Sequence, residues 1–415
     1  MKVIILTQYY PPEHGAPQNR LHDLAKRMKN TGHDVTVLTA MPNYPKGEIF
    51  TDYRGKLVVE ENIDGIKVIR TWILPAKKKS FLRQLIAYFS FVKSSAFFGL
   101  LKLKQADFLI CESPPLFLGA TALVLSFAKS AKLMMNISDL WPESAVQLGM
   151  LKPGIILSFL EWFEKLLYQK STLVLCQTEG IVEGVKKRSP SSETFLLPNG
   201  VDLDTFKKHP RDANFAKEIG LPEDSFIVGY AGNHGRSQAL TQLIKAAMII
   251  QKKEDLILSK KIFFALFGDG PEKDELMKKS VEMKLENLKF FPSVPAEKMP
   301  KLLSQFDLAL VPLKNIELFE GARPSKIFEL MGVQIPFIFC GRGEGAKIAE
   351  ESGGAVIVPP ETPEKLADAI VDFVKLPEET RIEMGRKARK FAENNFNRAK
   401  FAENFIKQLE KRRNR

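Results

Sequence analysis

Short continuous apolar runs, rich in Val, Ile, Leu and Phe, alternate along the chain with longer stretches whose apolar residues recur every three to four positions. The first pattern predicts strands buried on both faces, the second amphipathic helices. In the first half, residues 2–7, 34–39, 108–111, 133–137, 173–176 and 194–197 read as strands. Residues 56–60 and 67–71 flank Asp64-Gly65, a hairpin turn signal. A helix is expected over residues 18–29, where Leu21, Leu24, Ala25 and Met28 fall on one face. Pro198-Asn199-Gly200 interrupts the pattern, and the charged stretch 207–212 follows. The alternation then restarts, with strands expected at 226–231, 262–267, 288–291, 308–311, 337–340 and 355–358. Residues 378–415 read as one or two charged helices carrying Phe391, Phe396, Phe401 and Phe405.

Such βαβα alternation predicts parallel sheets covered by helices, here two doubly wound, Rossmann-like α/β domains. The expected division is 1–200, 201–390 and a helical tail 391–415 that crosses back to the first domain. Each sheet of this kind places its ligand crevice at the carboxyl ends of its strands. Two of them facing each other across a cleft would hold a nucleotide on one side and an acceptor on the other.

The chain has 415 residues, 45% of them apolar and 27% charged, which excludes disordered and collagen-like classes. The opening MKVIILTQYY turns polar too soon for a secretory leader and reads as a buried strand. Cys111, Cys176 and Cys340 lie far apart in apolar runs and are expected to be buried thiols of a cytoplasmic protein. A net charge of +12 suits nucleic acid, anionic lipid or a phosphorylated substrate. No nucleic-acid-binding signature accompanies it. The segment FLRQLIAYFSFVKSSAFFGLLKLK, ending at Lys104 and preceded by Lys77, Lys78 and Lys79, fits a helix lying on the inner face of an anionic membrane. A core helix of an α/β domain carries the same pattern. No run of eighteen apolar residues lacks a charge, so no spanning helix is expected.

Candidate chemistry clusters after the predicted strands. Gly232-Asn233-His234-Gly235-Arg236 follows a strand and precedes a helix, where backbone N–H groups and Arg236 could meet a diphosphate. Gly268-Asp269-Gly270-Pro271 is a similar loop, read as structural. In ELFEGARPSKIFELMG, Pro324 and Ser325 suit a helix start. Lys326 and Glu329 then share one helical face, placed for a diphosphate and for the two ribose hydroxyls. A solvated Lys–Glu pair gives the same pattern. In QYYPPEHGAPQ, Gly15 could let backbone approach phosphates, while Glu13 and His14 could face an acceptor. In NISDLWPESAVQLG, Asp139 could orient or deprotonate an acceptor hydroxyl, and Trp141 could stack on a sugar or pack in the core. The five histidines show no metal-ligand spacing.

Taken in order, YYPPEHGAPQNRLHDLAKRM, CESPPLFLGA, SDLWPESAVQLG, LPNGVDLDTF, YAGNHGRSQAL, FGDGPEKDEL and PSKIFELMG resemble glycosyltransferase family four, the retaining enzymes of GT-B fold, and among them the WbuB-like branch of bacterial surface-polysaccharide transferases. The resemblance implies a UDP-sugar donor, an N-acetylated aminosugar among the candidates. It implies a sugar acceptor, such as one linked to undecaprenyl diphosphate, and neither a metal nor a tightly bound cofactor. It sets Gly15, Gly232, Asn233, Arg236 and Lys326 at the donor phosphates and Glu329 at the ribose. Asp139, with Glu13 and Glu320, falls in the catalytic region. The sequence departs from the family at three places. Gly321 occupies the position of the first of two glutamates eight residues apart, with Glu320 one residue out of register. Asn233 and Gln238 stand where an Arg and a Lys are usual, and Ser138-Asp139 replaces a His-Asp pair. A UDP-sugar epimerase and a non-catalytic sugar-nucleotide-binding protein are the rival readings.

Overall fold

A computed structural model describes residues 1–413 except 14, 45–46, 77–80, 148 and 254–259. Two compact units divide the chain, the first built from residues 1–199 and 399–415, the second from residues 200–398. In the first, β1 (Lys2–Leu6), β2 (Asp34–Ala40), β3 (Val58–Ile63), β4 (Ile66–Thr71), β5 (Phe108–Ser113), β6 (Lys132–Ile137), β7 (Leu173–Cys176) and β8 (Thr194–Leu196) form one sheet in the order β3-β4-β2-β1-β5-β6-β7-β8. Every neighbouring pair is parallel except β3–β4, the hairpin that turns at Asp64-Gly65. In the second, β9 (Ser225–Ala231), β10 (Lys261–Phe267), β11 (Leu288–Phe291), β12 (Leu308–Pro312), β13 (Phe337–Cys340) and β14 (Ala355–Val358) form a parallel sheet in the order β11-β10-β9-β12-β13-β14.

The apolar runs are continuous because helices cover both faces of each sheet. These helices are α1 (Ala16–Asn30), α2 (Phe81–Lys102), α3 (Leu118–Ala128), α4 (Glu143–Gln147), α5 (Ile155–Lys170), α6 (Glu179–Arg188), α7 (Ala213–Glu218), α8 (Thr241–Gln251), α9 (Lys273–Glu282), α10 (Met299–Leu303), α11 (Ser325–Gly332), α12 (Gly343–Glu351), α13 (Pro363–Lys375), α14 (Glu378–Asn395) and α15 (Arg398–Arg413). One face of the first sheet packs Val3, Ile5, Phe108, Ile110, Met134 and Leu175 under Leu21 and Ala25 of α1 and Phe405 and Leu409 of α15. Its other face packs Leu6, Leu109, Met135 and Val174 against α2, α3, α5 and α6. In the second unit, α8 and α13 supply Leu243, Ala247, Leu366 and Ile370 to a single cluster with Val228, Phe264 and Leu310.

The C-terminal helices divide later than the expected boundary at 391. α14 continues to Asn395, and Phe396 after it stacks on Phe328 of α11 with ring centroids 4.6 Å apart. Only beyond Arg398 does the chain join the first unit, where Phe405 is fully buried. α2 is long and apolar enough to cross a membrane by length and composition, contrary to the expectation. Its inner side, however, is committed to its own unit. Ala87 and Phe91 are buried in the core, Ser94 donates to the carbonyl of Trp72, and Ser90 accepts the N–H of Leu74.

Chain order reverses between β1 and β5 in the first sheet and between β9 and β12 in the second. Crevices form beyond the carboxyl ends of strands at such reversals. The loops after β1, β5 and β6, and those after β9 and β12, are therefore the places to look for chemistry.

Candidate functional site

In the second unit, the loop after β9 and the start of α11 meet. Gly232 has φ +152°, and a Cβ there would overlap Cε of Lys326. A glycine is required both by that backbone angle and by the lysine stem lying across it. The ammonium sits 5.4 Å from the ring centroid of Tyr230, whose hydroxyl donates to the carbonyl of Asn233 at 2.7 Å. Lys326 is half-buried, and among the described residues no carboxylate lies within ion-pair distance of it. Burial lowers its pKa, and the field of Glu329 one turn on opposes that shift. Burial likewise raises the pKa of Glu329, against the fields of Lys326 and Arg398. A half-buried cation and carboxylate, each short of a close partner, are poised for a ligand that brings an anion and hydroxyl groups. Both line a recess of about 240 Å³, open mouth included, with Gly229, Ala231, Phe306 and Ala309. Pro324 caps α11 with no side-chain hydrogen bond.

Asn233 belongs to the same cluster, its side-chain amide wedged between Gly235 and Gly270. The loop 268–271 is structural as expected. The N–H of His234 donates to the carbonyl of Asp269 at 2.8 Å, and the N–H of Glu272 donates to that of His234 at 3.0 Å. His234 itself is fully buried, and neither ring nitrogen has a hydrogen-bond partner. Burial and the nearby Lys273 cation push its pKa down to about 4, so the ring is neutral at pH 7.

Arg236, expected at the donor phosphates, and Glu320, expected in the catalytic region, stand elsewhere. Arg236 is 89% exposed, and its guanidinium faces Glu272, the residue before α9, at 4.0 Å instead of lying with Lys326. It begins a three-residue 3₁₀ turn after Gly235, which swings it outward. Glu320 is not placed as a catalytic group: its side chain is exposed, and its carbonyl accepts the N–H of Glu344 at 2.6 Å, capping α12. Gly321 is exposed and has open space where a Cβ would go, so no steric constraint selects glycine there.

In the first unit, Glu13 is 1% exposed and cannot face an acceptor. Its carboxylate accepts N–H bonds from Asn43 (2.9 Å), Tyr44 (2.8 Å) and Tyr10 (3.3 Å), tying the loop after β1 to the loop after β2. Burial raises its pKa, and those three N–H groups and Arg70 pull it back. Gly15 caps α1 in extended backbone, with Oε1 of Gln18 2.5 Å from where a Cβ would lie. His14 and Lys77, Lys78 and Lys79 lie outside the described residues.

Asp139 follows β6 and is half-buried. Burial raises its pKa, Glu143 adds to the rise, and hydrogen bonds from Ser144 and from the N–H of Leu140 oppose it. Trp141 packs edge-on to Phe117 at 5.6 Å, a core role. The residue before Asp139 is held by a network that motif reading missed. Arg20 of α1 pairs with Glu112 of β5 at 2.7 Å, with side chains 7% and 4% exposed. Asn136 donates to Oε2 of Glu112 at 2.5 Å. The hydroxyl of Ser138 donates to Oε1 of Glu112 and accepts from Arg20 (2.9 Å) and Gln177 (2.7 Å). Every hydrogen-bonding site of that hydroxyl is used, so the backbone entering Asp139 is locked.

The signal for this network is alternation. On the α1 face, Val3 and Ile5 give way to Thr7, Phe108 and Ile110 to Glu112, Met134 to Asn136 and Ser138, and Leu173 and Leu175 to Gln177. Four adjacent strands turn polar at their carboxyl ends on one face. Buried polar groups are expensive unless matched, which makes such a layer a marker for a site.

The description "Glycosyl transferase 4-like domain" matches residues 15–200, and "Glycosyl transferases group 1" matches residues 212–391. The chain is 25% identical over 421 residues to the putative colanic acid biosynthesis glycosyl transferase WcaI of Escherichia coli, covering 99% of this chain and all of WcaI. It is 25% identical over 280 residues to the probable glycosyltransferase WbjE of Pseudomonas aeruginosa, covering 66% and 67% of the two chains. Among solved structures it resembles Anabaena HepE in complex with UDP and glucose (TM-score 0.71, 18% identity, 99% of both chains). It also resembles WaaG, a glycosyltransferase involved in lipopolysaccharide biosynthesis (TM-score 0.67, 16% identity, 98% and 99% of the two chains). Two parallel α/β units with this pair of matches define a glycosyltransferase of GT-B fold. The chain belongs to the group 1 glycosyltransferases, family four.

Proposed function

We propose that the protein transfers a sugar from a UDP-sugar, with retention at the anomeric carbon, to a lipid-linked sugar acceptor during the building of a bacterial surface polysaccharide, as a member of the WbuB-like branch. The observation that carries the donor site is Lys326, a half-buried cation without an ion-pair partner among the described residues, lying across Gly232 at the start of a helix whose next turn presents Glu329. A diphosphate supplies the missing anion, and a ribose supplies hydroxyls to the carboxylate. A relative named for colanic acid biosynthesis, and a structural neighbour that holds UDP and glucose, support the choice of donor and product class. In the reaction, the bond from the anomeric carbon to the diphosphate oxygen breaks and the acceptor oxygen bonds to the same face of that carbon. The acceptor proton passes to the departing phosphate oxygen. Lys326 and the N-terminus of α11 stabilise the charge that develops on the leaving group, and Asp139 orients the acceptor hydroxyl.

Titration calorimetry with UDP and GDP tests the reading. Selective UDP binding is expected, weakened in Glu329→Ala by about 1–3 kcal/mol, the cost of hydrogen bonds lost to a charged group. Absence of binding by folded wild-type protein would overturn the donor assignment. Product formed from a UDP-sugar without acceptor would favour the epimerase reading instead.

A further inference from the structure

Large apolar side chains are unevenly exposed on this molecule. Of eighteen exposed among the described residues, five lie on α2, two on α3 and four on α5, whereas the whole second unit exposes two, Met277 and Val281. The three helices are neighbours on one face of the first sheet. Leu125 of α3 fills the space above Gly99 of α2, and Leu167 of α5 fills the space above Gly119 of α3. Their outer sides form stripes. On α2, Ile86, Phe89, Phe97 and Leu101 recur at three- and four-residue spacing around Lys93. On α5, Ile155 and Ile156, then Phe159 and then Trp162 fall three to four residues apart, and Phe127 at the carboxyl end of α3 is 90% exposed. A solvated helix would be polar at these positions. A contiguous apolar patch on an otherwise ordinary surface marks an interaction site.

Charge decides the occupant. α2 carries Arg83, Lys93 and Lys102 and no acidic residue, Lys102 being paired with Glu60 of β3 at 3.0 Å, and α3 carries no charge at all. Of the two acids on α5, Glu164 is buried, and both pair with Arg188 of α6. Lys152 and Lys165 add exposed cations beside the α5 stripe. An apolar, aromatic surface fringed by cations unpaired among the described residues, its acids already paired, complements an anionic bilayer, where aromatic rings settle at headgroup depth and cations meet lipid phosphates. A two-fold interface of this face with itself would instead bring these cations towards one another. We infer that the outer faces of α2, α3 and α5 form a monotopic membrane-docking surface that takes anionic phospholipid, with α5 and Phe127 inserting alongside α2. The surface lies wholly within the first unit, and its assignment holds whether or not the donor reading does.

The test uses the full chain and vesicles of phosphatidylcholine with or without phosphatidylglycerol. Wild type is expected to co-sediment with the anionic vesicles, and lipid brominated near the headgroup should quench Trp162, as judged against Trp162→Phe. The triple variant Ile155→Ser/Phe159→Ser/Trp162→Ser alters only exposed positions and should reduce partitioning about a thousandfold, since each of the three large side chains withdrawn from apolar contact costs about tenfold. Lys93→Glu/Lys165→Glu should abolish the preference for anionic lipid. Absence of vesicle binding by folded wild type would overturn the proposal, as would binding that the triple variant leaves unchanged. So would sedimentation showing that the patch joins two copies of the chain, with the triple variant monomeric and lipid irrelevant.

Discussion

The Arg20–Glu112 pair makes a prediction that can be worked through in numbers. Both side chains are almost fully buried, 2.7 Å apart, and share Ser138. Glu112→Ala leaves the Arg20 guanidinium without its counter-charge and removes the acceptor of Asn136 and Ser138. Breaking a buried pair from one side costs about 3–5 kcal/mol, because an uncompensated charge remains. Arg20→Met leaves the carboxylate with two neutral donors, Asn136 and Ser138, so its cost should sit near the lower end of that range. Arg20→Met/Glu112→Leu removes both charges and should recover much of the loss, giving a coupling of about 1–3 kcal/mol between the sites. Even so, Ser138 would retain only Gln177, and Asp139 would lose its fixed approach. Turnover should therefore stay depressed in a variant whose stability has largely returned. The assay is built into the sequence: all three tryptophans, Trp72, Trp141 and Trp162, lie in the first unit, so fluorescence-detected denaturation follows that unit alone. Strictly additive single and double variants, or single-variant losses below about 1 kcal/mol, would show that the pair does not hold the layer together.

Three further outcomes follow from the second unit. Gly232→Ala forces a Cβ into Lys326 at a φ of +152° and should abolish UDP binding while costing about 1–3 kcal/mol of stability, measured by calorimetry. Gly321→Glu enters open space on an exposed turn and should change stability by no more than about 0.5 kcal/mol, whereas kcat with different UDP-sugars should shift because a carboxylate now stands at the family's first glutamate position. The His234 pKa of about 4 lies below the ordinary imidazole value, so the unfolded chain takes up the proton first. Stability of the second unit should therefore be undiminished above pH 6.5 and fall as the pH drops from there towards 4; a ring signal titrating near 6.5 by NMR would contradict the burial argument.

The two sheets were legible in the chain because a strand buried on both faces must be largely apolar, and β12 and β13 show this at every position and β5 from Phe108 to Cys111. That Lys326 and Glu329 share one face was legible for a similar reason, since they are one turn apart and need only a helix to bring them together. What could not be read depended on contacts distant in sequence. Glu13 looks like an acceptor-facing carboxylate until residues 43 and 44 are brought onto it from the loop after β2. Arg236 looks like a phosphate ligand until a 3₁₀ turn directs it towards α9.

The same alternation that exposes the polar layer of the first sheet gives a different answer in the second. There Val228 and Tyr230 on β9, and Phe264 and Leu266 on β10, stay apolar to the end, and the strands close on Gly232 and Gly268. One edge offers oriented side-chain amides, a hydroxyl and a buried carboxylate, and the other offers glycine backbone with an isolated cation. The polar groups of the first edge are matched to one another, so they brace the backbone that enters Asp139. Glycine backbone, a helix N-terminus and a lysine suit a diphosphate, where charge density matters and several N–H groups must come close. On the proposed reading, the division of labour between acceptor and donor follows which residue type ends each strand. Exchanging one type for the other, as in Gly232→Ala or Glu112→Ala, should impair donor binding in the first case and acceptor turnover in the second.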